Sequence, residues 1–152
     1  MKSSCNPFDT KCVEFEDTRP AVALRDKKAK SRYLAKNNTR KNLICLRVDG
    51  CLIDTIQIKK CDYLLLDCQD KIAHYIELKG TDIKTAIEQL TTSISLTIKQ
   101  LQGKGFTTAT AKLVLSRTPK IVPSKEWLDL RDLMKGYNGD AYRKNTPFVD
   151  SL

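Results

Sequence analysis

The sequence predicts an α/β (α+β) domain with a mixed central β-sheet flanked by helices. Three observations carry this. Residues 61–68 and 72–78 are apolar and β-rich, and polar Gln69-Asp70-Lys71 between them reads as a turn. Directly after them, Ile83, Ala86, Ile87, Leu90, Ile94, Ile98 and Leu101 recur at helical spacing. Residues 106–117 then return to β-rich alternation. Strand pair, helix, strand is the pattern of a sheet crossed by a helix.

The chain has 152 residues, enough for one domain with a real core. The expected division is an N-terminal segment over 1–19 and a single domain over 20–152. No apolar run reaches the length of a membrane span. The N-terminus lacks a basic region followed by an apolar stretch, so a cytoplasmic location is expected. Net charge is +9, which favours polyanionic partners. The one histidine, His74, lies within a strand, so no Ser/His/Asp set is built on it, and with no Cys-x-x-Cys pair it assembles no common zinc pattern. None of the six cysteines forms a Cys-x-x-Cys pair, and Cys45, Cys51, Cys61 and Cys68, in apolar strand-like contexts, are expected to be reduced, core or near-core residues. There is no Gly-rich phosphate loop and no internal repeat.

Taken in order, residues 1–19 are polar and mixed, with an acidic group at Glu14, Glu16 and Asp17. Residues 20–37 are expected to be a helix that Pro20 starts, with Ala21, Leu24, Tyr33 and Leu34 on its apolar side. Lys27, Lys28, Lys30, Arg32, Lys36, Arg40 and Lys41 crowd its other side and the turn after it, the clearest nucleic-acid footprint in the chain. Residues 43–53 read as a first strand, with Asp49-Gly50 as a turn or bulge. Thr81 or Asp82 caps the long helix and Gly103 ends it. Pro119 and Pro123 break the chain, and Ser124 caps a short helix carrying Trp127, Leu128, Leu130, Leu133 and Met134, with Trp127 as a core anchor. Tyr142-Arg143-Lys144 is a short edge strand.

The chemistry gathers on the 61–80 pair. Antiparallel pairing around the turn brings Asp62 to the Glu77 end of its partner. Strand alternation sends Glu77 and Lys79 to one face and His74 to the other, with Ile76 and Leu78. His74 therefore reads as a packed histidine rather than a base. Two close carboxylates repel unless a cation lies between them. Mg²⁺ takes one or two carboxylates and keeps several waters. A divalent ion with a lysine beside it suits phosphodiester hydrolysis. An exposed cross-strand ion pair is the plainer account of the same letters.

Asp62, then Glu77-Leu78-Lys79 on the next strand, then Gly80 and an amphipathic helix, resembles the core of the PD-(D/E)xK, or restriction-endonuclease-like, nuclease superfamily. Restriction endonucleases, Holliday-junction resolvases and phage-type exonucleases belong to it. The resemblance covers roughly residues 20–117, and Cys61 stands where the family pattern has proline. It implies a core of helix, three-strand meander, helix and strand. It implies a metal-dependent nuclease acting on DNA, with Mg²⁺ as cofactor and Mn²⁺ able to substitute. Asp62, Glu77 and the Leu78 carbonyl would hold the metal, and Lys79 would orient the attacking water. Gln89, about ten residues beyond the lysine, and Glu14 or Glu16 are the accessory candidates. The expected helix over 20–37 contains no glutamate, a departure from the family. Members of this size work as homodimers or as subunits of larger complexes, including phage-defence and mobile-element systems. The alternative is a catalytically inactive module of the same fold that binds nucleic acid or a partner protein.

Overall fold

A computed structural model describes residues 4–26, 31–54, 58, 60–79, 82–116 and 124–152, apart from the side chains of Lys79 and Ser124. Lys27, Lys28, Lys30, Gly80, Thr81, Arg117, Pro119, Lys120 and Pro123 lie outside the described residues. So does most of 55–60, including most of the strand expected to follow Asp49-Gly50.

Among the described residues the architecture is mixed α+β, with nine strands, two α-helices and a short 3-10 turn at Thr10–Cys12. The strands are β1 (Val13–Asp17), β2 (Ala21–Arg25), β3 (Arg32–Lys36), β4 (Leu43–Arg47), β5 (Tyr63–Asp67), β6 (Ile72–Lys79), β7 (Thr108–Leu115), β8 (Ala141–Asn145) and β9 (Phe148–Ser151). The helices are α1 (Ile83–Gly103), after β6, and α2 (Ser124–Lys135), after β7. A six-stranded sheet runs in the order β1-β4-β5-β6-β7-β8, and a three-stranded sheet in the order β2-β3-β9.

The centre follows the expected order. β4, β5 and β6 form an antiparallel meander. α1 then crosses over, and β7 lies parallel to β6 from Ile72↔Thr108 to Lys79↔Leu115. The large sheet is the middle of three layers. One face packs Leu64, Leu66, Ala73, Tyr75, Ala111 and Leu113 against the α1 stripe and against Trp127, Leu130 and Met134 of α2. The other face packs Leu43, Cys45, Leu65, Ile76, Leu78 and Val114 against Val22, Leu24, Tyr33, Ala35 and Phe148 of the small sheet. Each fully buried Leu or Ile here contributes roughly 2 kcal/mol.

Polar groups fix α1 on its sheet. Ser93 Oγ accepts the Cys61 amide at 2.8 Å, and the Thr97 hydroxyl meets the Tyr75 hydroxyl at 2.7 Å. Asp82 caps the helix by accepting the Thr85 amide. Gly139 is set by close approach. A Cβ there would lie 1.8 Å from the Ala109 carbonyl oxygen, so the chain leaving α2 passes β7 only without a side chain.

Four expectations are corrected. Residues 20–37 are not a helix but the hairpin of β2 and β3, paired from Ala21↔Lys36 to Arg25↔Arg32. Val22 and Leu24, like Tyr33 and Ala35, are buried at a period of two. That alternation outweighs the weaker 3.6-residue match, so the helix implied by the resemblance is not found at 20–37. The first strand stops at Arg47, because the chain turns through Asp49 and Gly50, whose φ is +77°. The polar C-terminus supplies β9, parallel to β3.

The fourth correction concerns the cysteines. Cys5 is disulfide-bonded to Cys68 and Cys12 to Cys51, and only Cys45 and Cys61 are free and buried. Partners 63 and 39 residues apart in the chain meet because β1 lies alongside β4 at the sheet edge. Among the described residues no helix is long and apolar enough to cross a membrane.

Candidate functional site

Two strands build the site. Tyr63 is opposite Ile76 in the β5–β6 ladder, and one step further Asp62 reaches Glu77. The Leu78 amide donates to Asp62 Oδ2 at 2.8 Å, which clamps the entry of β5 onto the end of β6. In a strand the N–H and C=O of one residue face the same edge. The Leu78 carbonyl therefore also lies along the Asp62 edge.

Glu77 is 2% exposed, and its side chain lies at the Asp62 carboxyl. Burial pushes the Asp62 carboxyl up to about 6. The Leu78 N–H and the Glu77 side chain oppose that rise, while the charges of Asp26 and Asp49 add to it. A divalent cation at the pair would favour the ionised form of both carboxylates.

The donor set fits a hard divalent ion. Asp62 Oδ1, the Glu77 carboxyl and the Leu78 carbonyl are all oxygen ligands of the kind Mg²⁺ accepts alongside water. Among the described residues no group of three or more His, Cys, Asp or Glu side chains gathers in metal-binding geometry. Water would fill the rest of such a coordination sphere.

Asp62 opens into a cleft of about 530 Å³, lined also by Arg25, Asp26, Arg47, Asp49, Gly50 and Tyr63. Three elements position these groups. Arg25 and Asp26 end β2, Arg47 ends β4, and Asp49-Gly50 form the turn that follows. The buried Lys60 ammonium lies 3.7 Å from Asp49 Oδ1. Arg47 is 3.9 Å from Glu14 Oε1.

The expected site residues divide clearly. Asp62, Glu77 and the Leu78 backbone come together. Lys79 closes β6 two residues beyond Glu77, and its side chain is outside the described residues. Gln89 donates from Nε2 to the Lys60 carbonyl at 3.0 Å, so it steadies the segment entering β5. Glu14 reaches the cleft through Arg47. Glu16 sits opposite Ile44 on the exposed edge of β1.

The basic set also divides. Arg32 and Lys36 are exposed at opposite ends of β3. Arg40 donates to the Thr18 carbonyl at 3.3 Å. Lys41 is held by Asp70 at 2.6 Å and Asp67 at 3.4 Å, which leaves it little charge to offer a phosphate. Lys27, Lys28 and Lys30 lie outside the described residues. His74 is on the far face of the sheet, 6% exposed, as its alternation with Glu77 required.

Sequence reasoning missed Arg25, Arg47, Lys60 and Tyr63. Arg25 would have emerged from a period-two reading of 21–25, which places it at a strand end. Lys60 carries a weaker signal, its place two residues before Asp62. In comparisons with known proteins, no family model, no curated protein and no solved structure matches the chain.

Proposed function

We propose that this chain is a metal-dependent nuclease that hydrolyses phosphodiester bonds in DNA. The observation that carries the reading is the buried Asp62–Glu77 pair, two carboxyl groups side by side at the mouth of an arginine-flanked cleft. A structural ion pair has no need of two like groups side by side. Burying them is unfavourable unless a cation is their partner.

Asp62, Glu77 and the Leu78 carbonyl would hold Mg²⁺, with Mn²⁺ as a substitute. The bound ion would supply Lewis acidity and an acidified water. Arg25 and Arg47 flank the cleft and would grip the phosphates beside the scissile bond, since guanidinium forks match phosphate geometry. Lys79 is assigned to orienting the water and neutralising charge that develops on the phosphate. Lys60, beside Asp49, keeps the acidic rim from repelling the strand. Tyr63 offers a ring on which a base can stack. A dimer or a larger assembly, of the kind found in phage defence and mobile elements, would supply the rest of the DNA grip.

One observation favours a second reading, an inactive module of the same fold that binds nucleic acid. Asp62 Oδ2 is already committed to the Leu78 amide, so the acid also serves as a strand clamp. One experiment separates the two. Plasmid and short single- and double-stranded DNA and RNA are incubated with the protein in Mg²⁺, Mn²⁺ or EDTA, beside Glu77→Gln and Lys79→Ala. Metal-dependent cleavage of DNA, lost in both variants, is expected. Binding without cleavage in every metal would leave the inactive module. Neither binding nor cleavage would overturn both.

A further inference from the structure

A second cavity, of about 430 Å³, opens on the opposite face of the large sheet, where β6, β7 and β8 approach β9. Its inner wall is charged although it lies deep in the fold. Lys112 of β7 is 5% exposed, and its ammonium pairs with Asp150 of β9. It also donates to the Tyr33 hydroxyl at 3.4 Å, and that hydroxyl donates to the same Asp150 oxygen at 2.6 Å. An ammonium carries three N–H donors, and these two contacts use two of them. His74 lies alongside, with Nδ1 2.8 Å from the Thr110 hydroxyl. Burial, reinforced by the Lys112 charge, holds its imidazole well below the ordinary histidine value, so the ring is neutral.

The rim differs from the wall. Lys144 stands exposed on β8, 5.0 Å from the Phe148 ring. Tyr142, on the same strand, is 45% exposed and lines the opening.

A clip between the two sheets explains the Lys112–Asp150 pair only in part. Apolar side chains of similar volume hold such a junction without the desolvation penalty. The clip also needs no opening beside it. The lining carries two ammoniums against one carboxylate, and that carboxylate is already shared by Lys112 and Tyr33. Spare N–H and O–H donors therefore exceed acceptors, which selects an oxyanion. The volume exceeds that of a lone phosphate and falls in the range of small-ligand pockets. An exposed aromatic ring at the mouth suits a base or other flat group.

We propose that this cavity is a binding site for a phosphomonoester of nucleotide size, with the phosphate held between Lys112 and Lys144 and the base against Tyr142. The site is separate from the carboxylate pair and does not rest on the nuclease reading.

Adenosine 5′-monophosphate, adenosine and inorganic phosphate are titrated into the protein by calorimetry in EDTA, with ¹H–¹⁵N spectra to locate the response. The monophosphate is expected to bind and adenosine not to, with shifts confined to β7, β8 and β9. Lys144→Ala, an exposed edge substitution, should weaken binding by about fivefold or more, and Lys112→Met by more than about tenfold. If Lys112→Met does not fold, Lys144→Ala and Tyr142→Ala carry the test. Asp62→Asn should leave the affinity unchanged. A 5′-phosphorylated oligonucleotide that competes equally would identify the ligand as a strand end at this same site. No binding of the monophosphate, binding that survives Lys144→Ala and Tyr142→Ala, or shifts centred on Asp62 would overturn the proposal.

Discussion

The two faces of the six-stranded sheet both bury charge, and they balance it differently. Towards the helices, Asp62 and Glu77 set two acids side by side, and burial pushes Asp62 up to about 6. Towards the small sheet, Lys112 meets Asp150, and the pair keeps Asp150 ionised. Burial alone would raise the Asp150 carboxyl, but the Lys112 ammonium outweighs it and holds the acid below its ordinary range. The first arrangement sets like charges together. The second is complete as a fold and still has donors to spare. The helix face is also strapped covalently, since all four disulfide cysteines belong to or pack on its core. Among the described residues the small-sheet face has no disulfide and relies on packing and the Tyr33–Asp150–Lys112 network.

The largest effect expected from breaking this contrast is catalytic. Glu77→Gln and Lys79→Ala should each reduce metal-dependent DNA cleavage by about 10²–10⁴-fold, measured by single-turnover kinetics. Retained cleavage in either variant would move the chemistry away from this face.

Next come the straps. Unfolded protein should show two titratable thiols before reduction and six after it, counted with a thiol reagent. Chain entropy for loops of 63 and 39 residues predicts about 4 kcal/mol for each bond. The two loops overlap, so full reduction should remove less than the sum. Urea denaturation with and without reductant measures it. Six thiols before reduction would overturn the covalent straps.

On the other face, Asp150→Ala leaves a buried ammonium beside Tyr33 alone. It should destabilise by about 3 kcal/mol. Lys112→Met should be milder, because Asp150 is one-fifth exposed and keeps the Tyr33 hydroxyl. Equal losses in urea denaturation would mean that the two groups contribute packing rather than charge.

The smallest effect is the most diagnostic of an acid pair. The folded pKa of Asp62 lies above its unfolded value of about 4. Its stabilising contribution is therefore fully present below pH 4 and is lost as pH rises through about 6. In EDTA the protein should lose about 2–3 kcal/mol from this group across that window. Asp62→Asn should flatten the loss, and Mg²⁺ should restore stability at pH 7.5. A melting profile that is flat between pH 4 and 7 in EDTA would show that burial does not raise the Asp62 carboxyl.

The sequence is legible where a pattern is long or local. The α1 stripe from Ile83 to Leu101 is unambiguous because seven apolar residues repeat the helical period. The pairing that brings Asp62 to Glu77 follows from a short turn and strand alternation, and the same alternation sends His74 to the other face. Residues 21–36 are less legible. Val22, Leu24, Tyr33 and Ala35 are too few to separate a strand period from a helical one, and the run of lysines between them looks the same on either.

By itself, then, the chain's order of residues determined the meander, the crossing helix, the next parallel strand and the meeting of two acids. In each, the element is set by its own periodicity and by turn chemistry beside it. Tertiary structure alone decided the rest. The disulfides join Cys5 to Cys68 and Cys12 to Cys51 because β1 pairs with β4. Arg25 reaches the Asp62 cleft because the β2–β3 hairpin packs on the large sheet. Lys112 meets Asp150 because β9 returns to lie beside β3. Those contacts span tens of residues. They are set by which apolar faces bury each other, and no local pattern encodes that choice.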